Sequence, residues 1–344
     1  MLTERIAAAL LCLSALCLSA CSFVTDNTAE VEKDLADYTT AKHMLDGIDA
    51  AYDTDYSKFT LPDKDALHIT HPEGVYELTL EVINADGNKE WENQKNKELA
   101  AVFDTSGGAE ACVVVSGAYY INEKLLQNSA SPVNNDPALE CEITTLSPLT
   151  HKSLDTKLRQ VTGNAESYAS RIKEITGEEL DTYVYDVLKY KCENKTGYGV
   201  EMQKSYKGIG VLNMYPLHPT AEQLDDTHSL KVLQTYSDFN DDAEVVFYAA
   251  PPSYKTANAQ AIDKVVSFKS ACDILEEKLS DNSHFQFDDV VLMYEPYTDQ
   301  TKGDLADIEC VPKWFFINYT RSGGENMIRY FSVSLKDGAV EAVM

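Results

Sequence analysis

Two segments of this chain repeat apolar residues at steps of three and four, the spacing of one helical face, and strand-like segments follow each of them. The first segment, Leu154–Thr176, is followed by Gly177, a residue that commonly terminates helices. The apolar face of the second, Thr256–Leu279, is formed by Ala261, Val265, Phe268, Cys272, Leu275 and Leu279. At a rise of 1.5 Å per residue this second helix would be about 36 Å long, enough to cover one face of a sheet.

Segments rich in Val and Tyr supply the strands that such helices would cover. The strands predicted after the two helices are Asp181–Glu193, Tyr198–Tyr206, Gly208–Leu212, Phe285–Tyr294, Val311–Tyr319 and Met327–Leu335. The sequence therefore predicts an α+β fold of two units, each an antiparallel sheet packed against a long helix.

The patterns before the first helix are less regular. Gly74–Asn84 mixes apolar and polar residues in partial alternation and precedes an Asp-Gly pair, which predicts a strand followed by a turn. Ala100–Asp104 and Ala111–Ile121 are expected to be two further strands. Asn128–Pro148 contains several Pro and Asn residues, so we expect a surface loop there.

The N-terminal apolar run decides where the chain is expected to be placed. Ile6–Leu18 is too short for a transmembrane helix, which needs about 20 residues, but it suits a signal peptide, whose apolar region needs about 7–15. The run ends in Leu18, Ser19, Ala20 and Cys21, which resemble the lipobox of bacterial lipoproteins. In that motif the cysteine becomes the first mature residue and carries a diacylglycerol, whose two acyl chains give stable anchoring.

This interpretation divides the chain into four parts. They are a lipoprotein signal peptide at 1–20, a lipidated Cys21 with an acidic tether and a helix at 21–61, an N-terminal α+β domain at 62–235, and a PepSY-like C-terminal α+β domain at 236–344. No segment after Cys21 is apolar for long enough to cross a bilayer. We therefore expect the mature chain on the extracytoplasmic face of the cell membrane, anchored through its lipid.

The net charge of −27 excludes whole classes of partner. Nucleic acids and anionic lipid headgroups would both be repelled by a chain this acidic. Membrane contact is therefore expected through the lipid on Cys21 alone. Cationic peptides and divalent ions remain open as ligands, although a solvated acidic surface needs no ligand.

Eight cysteines leave an odd number after processing. Two belong to the signal peptide and Cys21 carries the lipid, so five remain, namely Cys112, Cys141, Cys192, Cys272 and Cys310. At least one is therefore expected to stay free or to pair between chains. We expect Cys112 and Cys272 to be buried, and if a bridge forms we expect Cys141–Cys192. No spacing suggests zinc or a redox pair.

No catalytic, cofactor-binding or metal-binding set is predicted. Asp238, Asn240 and Asp242 match the start of a calcium loop, but Ala243 and Ala249 occupy the positions that need Gly and Glu. A nucleophile turn of the Gly-x-Ser-x-Gly type is absent, and adjacent carboxylates are too common in this composition to indicate a site. We expect no cofactor, and the sequence favours a protein that is not an enzyme.

Tyrosine is the residue type that offers a binding surface, with twenty in the chain. Neighbouring residues of a strand alternate between its two faces, so Tyr183, Val184 and Tyr185 cannot all point inward. Tyr183, Tyr185 and Trp314 are therefore the candidate ligand face.

Three short segments resemble a known type of extracytoplasmic module. Val311–Asn318, with a Pro-Lys-Trp sequence, and Phe331–Val340, with an Asp-Gly pair, resemble strands of PepSY-type and YycH/YycI-type modules. Lys204–Val211 resembles another segment of these modules, with Gly210 where proline is usual. The whole chain is similar to uncharacterised surface lipoproteins of clostridial-type Gram-positive bacteria. This resemblance implies a binding, inhibitory or regulatory role in the cell envelope.

The expected function is therefore non-catalytic binding or regulation in the envelope, with an envelope protein or peptide as partner. Two alternatives remain open. One is an envelope hydrolase that acts on cell-wall material with carboxylates assembled by the fold, and the other is a solute-binding receptor. The clustering of strands after single helices disfavours the receptor, because two-lobed receptors alternate strands and helices.

Overall fold

A computed structural model describes residues 38–343, apart from 65–66, 68, 70–71, 104–108, 115–116, 131–140, 147–155, 193, 213–234, 298–307 and 323–324. The fold is α+β with a sheet that is mainly antiparallel, as predicted. Among the described residues, no helix has both the length and the apolar character needed to span a bilayer. Residues 1–37 lie outside the described residues, and with them the predicted signal peptide, the lipobox-like residues, Cys21 and the first part of the predicted tether.

The helices and strands have the following bounds. The described helices are α1 Ile48–Tyr52, α2 Lys89–Val102, α3 Glu123–Leu126, α4 Thr156–Thr176 and α5 Phe268–Lys278. The described strands are β1 Tyr38–Thr39, β2 Phe59–Thr60, β3 Tyr76–Val82, β4 Glu110–Val114, β5 Gly117–Ile121, β6 Cys141–Leu146, β7 Asp181–Cys192, β8 Lys195–Tyr206, β9 Ile209–Val211, β10 Thr235–Phe239, β11 Val245–Ala250, β12 Tyr254–Ala261, β13 Val265–Val266, β14 Phe285–Gln286, β15 Asp289–Tyr297, β16 Ile308–Ser322, β17 Glu325–Ser334 and β18 Val340–Val343.

The chain forms two compact units that are not contiguous in sequence. Among the described residues, unit 1 comprises those within Met1–Tyr76, Ala261–Tyr294 and Val311–Met344, and unit 2 comprises those within Glu77–Gln260 and Glu295–Cys310. The predicted division at 235/236 differs from this arrangement. The limits of the units fall inside strands, where sequence composition shows no linker, so composition could not reveal them.

Unit 2 contains antiparallel strands in the order β6-β7-β8-β10-β11-β5-β4. One face of this sheet shares an apolar core with α2 and α4, and Val187, Val200 and Tyr248 are on that face. Residues that pair directly across an antiparallel ladder point to the same face, and neighbours along a strand alternate. The residues next to Val187, Val200 and Tyr248 along their strands therefore point to the opposite face.

Helix α4 confirms the first predicted helix, and α2 was missed. The residue after α4, Gly177, has a φ of 78°, which ends the helix with a backbone conformation that glycine adopts readily. Helix α2 has polar residues at most positions, so its apolar pattern is weak. Its clearest signal is Asn88, whose side chain accepts hydrogen bonds from the backbone N–H groups of Glu90 and Trp91 at the first turn.

In unit 1 the core forms between α5 and the strands β16 and β17. Trp314 and Phe268 make an edge-to-face contact with ring centroids 5.4 Å apart. The indole Nε1–H of Trp314 donates to the carbonyl oxygen of Val266 at 3.2 Å. Phe316 and Phe331 pair directly across the two strands and are also buried. The large aromatic side chains of the two strands therefore fill this core.

The predicted helix Thr256–Leu279 is wrong over its first half. That half forms β12 and β13, and only Phe268–Lys278 is helical. Ser267 is the N-cap of this helix, and its hydroxyl accepts a hydrogen bond from the N–H of Ser270 at 3.1 Å. The long helix expected for the second unit is therefore a helix of 11 residues.

Two expectations about the strands need correction. The predicted strand Ala111–Ile121 is instead a hairpin of two strands, β4 and β5. Strand β5 begins at Gly117, which has a φ of 140°. The predicted loop Asn128–Pro148 contains β6, which pairs with β7. Turn-forming residues precede β6, and their loop signal in the sequence is stronger than the strand signal of the β-branched residues of β6.

Candidate functional site

The predicted ligand face of Tyr183, Tyr185 and Trp314 is not a surface in the structure. Trp314 is fully buried and Tyr185 is only 7% exposed. Tyr183 is half-buried, and its hydroxyl donates to the side-chain oxygen of Gln203.

A β-bulge is the physical reason for this correction. Val184 pairs with Met202 and Asp186 pairs with Glu201, so Tyr185 is an extra residue in β7. The bulge breaks the strict alternation on which the prediction depended. As a result, Val184 and the three residues that follow are all buried.

Lys204, near the end of β8, is a buried charged group of unit 2. Its ammonium donates to the Glu178 carboxylate and to the carbonyl oxygen of Pro252, the latter at 2.6 Å. It also lies 4.9 Å from the ring centroid of Tyr254. Glu178 follows α4, whereas Pro252 and Tyr254 lie at the passage from β11 to β12. The cluster therefore joins three distant parts of the sequence.

The electrostatics of this buried cluster follow from its burial. Desolvation lowers the pKa of Lys204, and the Glu178 carboxylate opposes that shift. Burial also raises the pKa of the Tyr254 phenol, with the Glu178 carboxylate as a further cause. The side chains of Lys204 and Glu178 are only 5% and 4% exposed. Such an enclosed pair holds segments together and offers no group to a substrate.

Carboxylates are also buried on the sheet face of unit 2 that points away from α2 and α4. Asp186 and Glu201 are direct partners across β7 and β8. Asp238, on the neighbouring strand β10, pairs with Gly199 of β8. All three carboxylates are buried. Facing carboxylates are the arrangement that acid–base hydrolysis uses, although the reaction also requires access for a substrate.

A more accessible group of side chains lies on the same face, at the β4 end of the sheet. We call it the Tyr119 surface, and its residues are Glu110, Cys112, Tyr119, Ile121 and Phe247. Glu110 is exposed and the other four are half-buried. The register places Tyr119 opposite Cys112, and Ile121 opposite both Glu110 and Phe247. The surface therefore combines aromatic and aliphatic area with one carboxylate.

Tyr119 has a fixed orientation on this surface. Its hydroxyl donates to Glu110 Oε1 at 2.8 Å. This hydrogen bond is the main reason that the pKa of Tyr119 is raised to about 12, followed by desolvation. Desolvation is also the main cause that raises the pKa of the Cys112 thiol, which therefore stays protonated near neutral pH. The Tyr119 surface suits contact and hydrogen bonding, not thiolate chemistry.

The Tyr119 surface could not be predicted while Ala111–Ile121 was expected to be one strand. A single strand would carry Glu110 and Tyr119 far from each other. The hairpin brings them to adjacent strands and to the same face. Gly117, which follows an apolar run, was the signal from which this turn could have been recognised.

No group of three His, Cys, Asp or Glu residues within the described part of the chain is arranged to hold a metal ion. The segment that resembles a calcium loop is a turn between β10 and β11. The Asn240 side-chain oxygen accepts from the N–H groups of Asp242 and Glu244, both at 3.0 Å. Ala243 has a φ of 61° at this turn. Asn240 therefore stabilises the turn itself.

The cysteines follow the expectations in part. Cys192 is disulfide-bonded, and Cys141 is its direct partner in the ladder of β6 and β7. Cys272 is buried, as expected, and Cys310 is also buried; both are free. Cys112 was expected to be buried; it is free and half-buried.

Comparisons with known proteins give a distant structural likeness. No family model matches the chain, and no curated protein matches it. A solved structure of an uncharacterised protein from Eubacterium rectale ATCC 33656 is similar, with a TM-score of 0.49 and 12% identity. The similarity covers 81% of this chain and 90% of that one. A likeness at this level assigns no function to the chain.

Proposed function

We propose that this protein is a lipid-anchored, extracytoplasmic binding or regulatory protein of the cell envelope, and that its Tyr119 surface contacts a basic polypeptide. The observation that carries the proposal is the Tyr119–Glu110 hydrogen bond, because it orients a carboxylate beside a half-buried aromatic surface. The PepSY-like character of the C-terminal half and the relation to clostridial surface lipoproteins are part of the same proposal.

Two features support the proposed location. The first is the sequence Leu18, Ser19, Ala20 and Cys21, which follows a short apolar run. The second is the disulfide-bonded Cys192, because disulfides persist mainly in oxidising compartments outside the cytoplasm. The two features are independent of each other, since one lies in the leader and the other in the sheet.

The chemistry of the ligand follows from charge and surface type. A net charge of −27 attracts cationic groups and repels anionic ones. Tyr and Phe rings provide contact area and attract a nearby Lys or Arg side chain through their faces. Glu110 is the exposed carboxylate of this surface. A polypeptide that contains Lys or Arg matches both the negative charge of the chain and the aromatic area of the surface.

The location is tested with Cys21→Ala. Cells that produce the native chain are labelled with palmitate and fractionated in parallel with cells that produce the variant. We expect label and membrane association for the native chain and the loss of both for Cys21→Ala. Equal sedimentation of the two proteins with membranes, without label on either, would exclude the lipid anchor.

Binding is tested by calorimetric titration of the mature protein with a decalysine peptide at low and physiological salt. We expect Glu110→Gln to weaken binding by up to about fivefold, because an exposed ion pair contributes about 0.2–1 kcal/mol. Glu174→Gln is the matched control, since Glu174 is an exposed carboxylate on α4. Equal weakening by both variants would mean general charge attraction and would contradict the proposed surface.

Hydrolysis of cell-wall material is the second candidate function. The observation that favours it is the direct pairing of two buried carboxylates, Asp186 and Glu201, across β7 and β8. The mature protein is incubated with purified wall fragments, and released reducing sugars and peptides are measured. Turnover that Asp186→Asn and Glu201→Gln each abolish would support the hydrolase, and its absence in the native protein would exclude this activity on the fragments tested.

A further inference from the structure

The two edge strands of the sheet in unit 2, β4 and β6, differ in the hydrogen bonds that their outer edges make within the described residues. At one end, the backbone N–H of Val113 in β4 donates to the side-chain oxygen of Asn96 in α2. The helix therefore occupies a hydrogen-bonding position that another strand would need. At the other end, β6 pairs with β7, and within the described residues it makes no further strand pairing or backbone hydrogen bond.

The edge strand β6 has the features of a pairing template. Its ladder with β7 is continuous over six pairs, from Cys141↔Cys192 to Leu146↔Val187. It contains no Pro, Lys or bulge, the devices with which proteins commonly protect an edge. Ile143, Thr144 and Thr145 are β-branched and favour extended backbone.

The side chains on one face of β6 define what an added strand would need. Glu142 and Thr144 are two residues apart and are both exposed. A residue directly opposite Glu142 would have its Cβ about 4.5–5.5 Å from that of Glu142, where an opposite charge stabilises the pair. A hydroxyl or β-branched residue suits the position opposite Thr144, two residues further along.

We infer that β6 receives an extended polypeptide segment of a partner as an additional strand, with a Lys or Arg opposite Glu142. Backbone hydrogen bonds would give most of the affinity, and the charge pair would set the register. A second copy of this chain is disfavoured as the occupant by mutual repulsion at a net charge of −27. The inference adds a site to the Tyr119 surface and does not depend on it.

The test uses the mature protein and a peptide of sequence Val-Thr-Val-Lys-Val with blocked ends, because antiparallel pairing then puts its Lys opposite Glu142 and its Thr opposite Thr144. Two isomers are N-methylated on alternate residues, so that each isomer loses the N–H donors of one edge only. We expect the parent peptide and one isomer to bind, and the other isomer to bind about tenfold more weakly or worse. This loss follows because each lost hydrogen bond contributes about 0.5–1.5 kcal/mol.

Hydrogen exchange locates the peptide on the protein. We expect bound peptide to slow amide exchange at Ile143, Thr144 or Thr145, and to leave β4 unchanged. The charge pair is tested with Glu142→Lys, which should favour a peptide that carries Glu in place of Lys. Glu174→Gln is the control, because Glu174 is an exposed carboxylate on α4, outside both β6 and the Tyr119 surface, and its loss should leave this peptide's affinity unchanged.

Three results would overturn the inference. Equal binding of both methylated isomers would show that no backbone edge is used. Slower exchange in β4 and β5, without change in β6, would place the peptide at the Tyr119 surface. Unchanged peptide preference in Glu142→Lys, with the variant still folded by circular dichroism, would exclude the predicted charge pair.

Discussion

The buried pair of Lys204 and Glu178 gives the sharpest stability prediction. Glu178→Gln keeps the size of the side chain, and the amide oxygen can still accept from the N–H of Leu180, which lies 3.2 Å from Glu178 Oε1. The substitution removes the negative charge next to a lysine that is only 5% exposed. The ammonium would then retain the carbonyl oxygen of Pro252 and the face of the Tyr254 ring among the contacts described above.

The expected magnitude follows from the balance of attraction and desolvation. Two unit charges about 3 Å apart at an effective dielectric constant of about 20 attract by about 5 kcal/mol. Removal of one partner of a buried pair costs about 3–5 kcal/mol, because the other charge remains buried. We therefore expect Glu178→Gln to lower the free energy of unfolding by about 3–5 kcal/mol.

The assay is urea unfolding of the mature chain, followed by circular dichroism. The double variant Glu178→Gln with Lys204→Met should recover most of the loss, since it no longer contains a buried unpaired charge. Asp181→Asn is the matched control. Asp181 pairs with Lys173 at 2.7 Å but is 74% exposed, so its loss should cost at most about 1 kcal/mol. A loss for Glu178→Gln no larger than that for Asp181→Asn would refute the reasoning.

Two further predictions concern backbone constraints in unit 2. Cys192→Ala should lower the free energy of unfolding by about 2–4 kcal/mol, and reductant should destabilise the native chain by a similar amount but leave the variant unchanged; a reductant effect of equal size in both would contradict this. Gly197→Ala should be strongly destabilising in thermal unfolding, because a Cβ there would lie 1.8 Å from the carbonyl oxygen of Ala130. Gly163 lies within α4, and a Cβ added there would lie in open space, so Gly163→Ala should instead raise the free energy of unfolding by about 0.5–1 kcal/mol. Equal effects at the two glycines would exclude the close approach of Gly197 to Ala130.

Regular local patterns were the part of the fold that could be predicted. Leu154–Thr176 has both a helical apolar spacing and a terminating glycine, and α4 agrees with it to within two residues. The strand predicted over Asp181–Glu193 agrees equally well with β7. Thr256–Leu279 also had helical spacing, but its first half became strands. Spacing alone does not show whether a face is buried by packing as a helix or by pairing as a strand.

The candidate site was predicted less well because it depends on which strands are neighbours. Tyr185 was expected to be exposed, and a single extra residue in β7 buried it. Glu110 and Tyr119 meet only because a hairpin turns between them. Neither the bulge nor the turn has a strong signal in composition or periodicity.

By itself, the sequence determined the properties that belong to single residues or short segments: an acidic chain, a lipobox-like sequence at residues 18–21, one long amphipathic helix, and strands rich in Val and Tyr. Tertiary structure decided what belongs to pairs of distant residues. Only the fold brings Glu178 to Lys204, sets Cys141 opposite Cys192 and assembles each unit from separate segments. The physical reason is that strand pairing and charge burial depend on contacts across the chain, whereas helix spacing and composition are local.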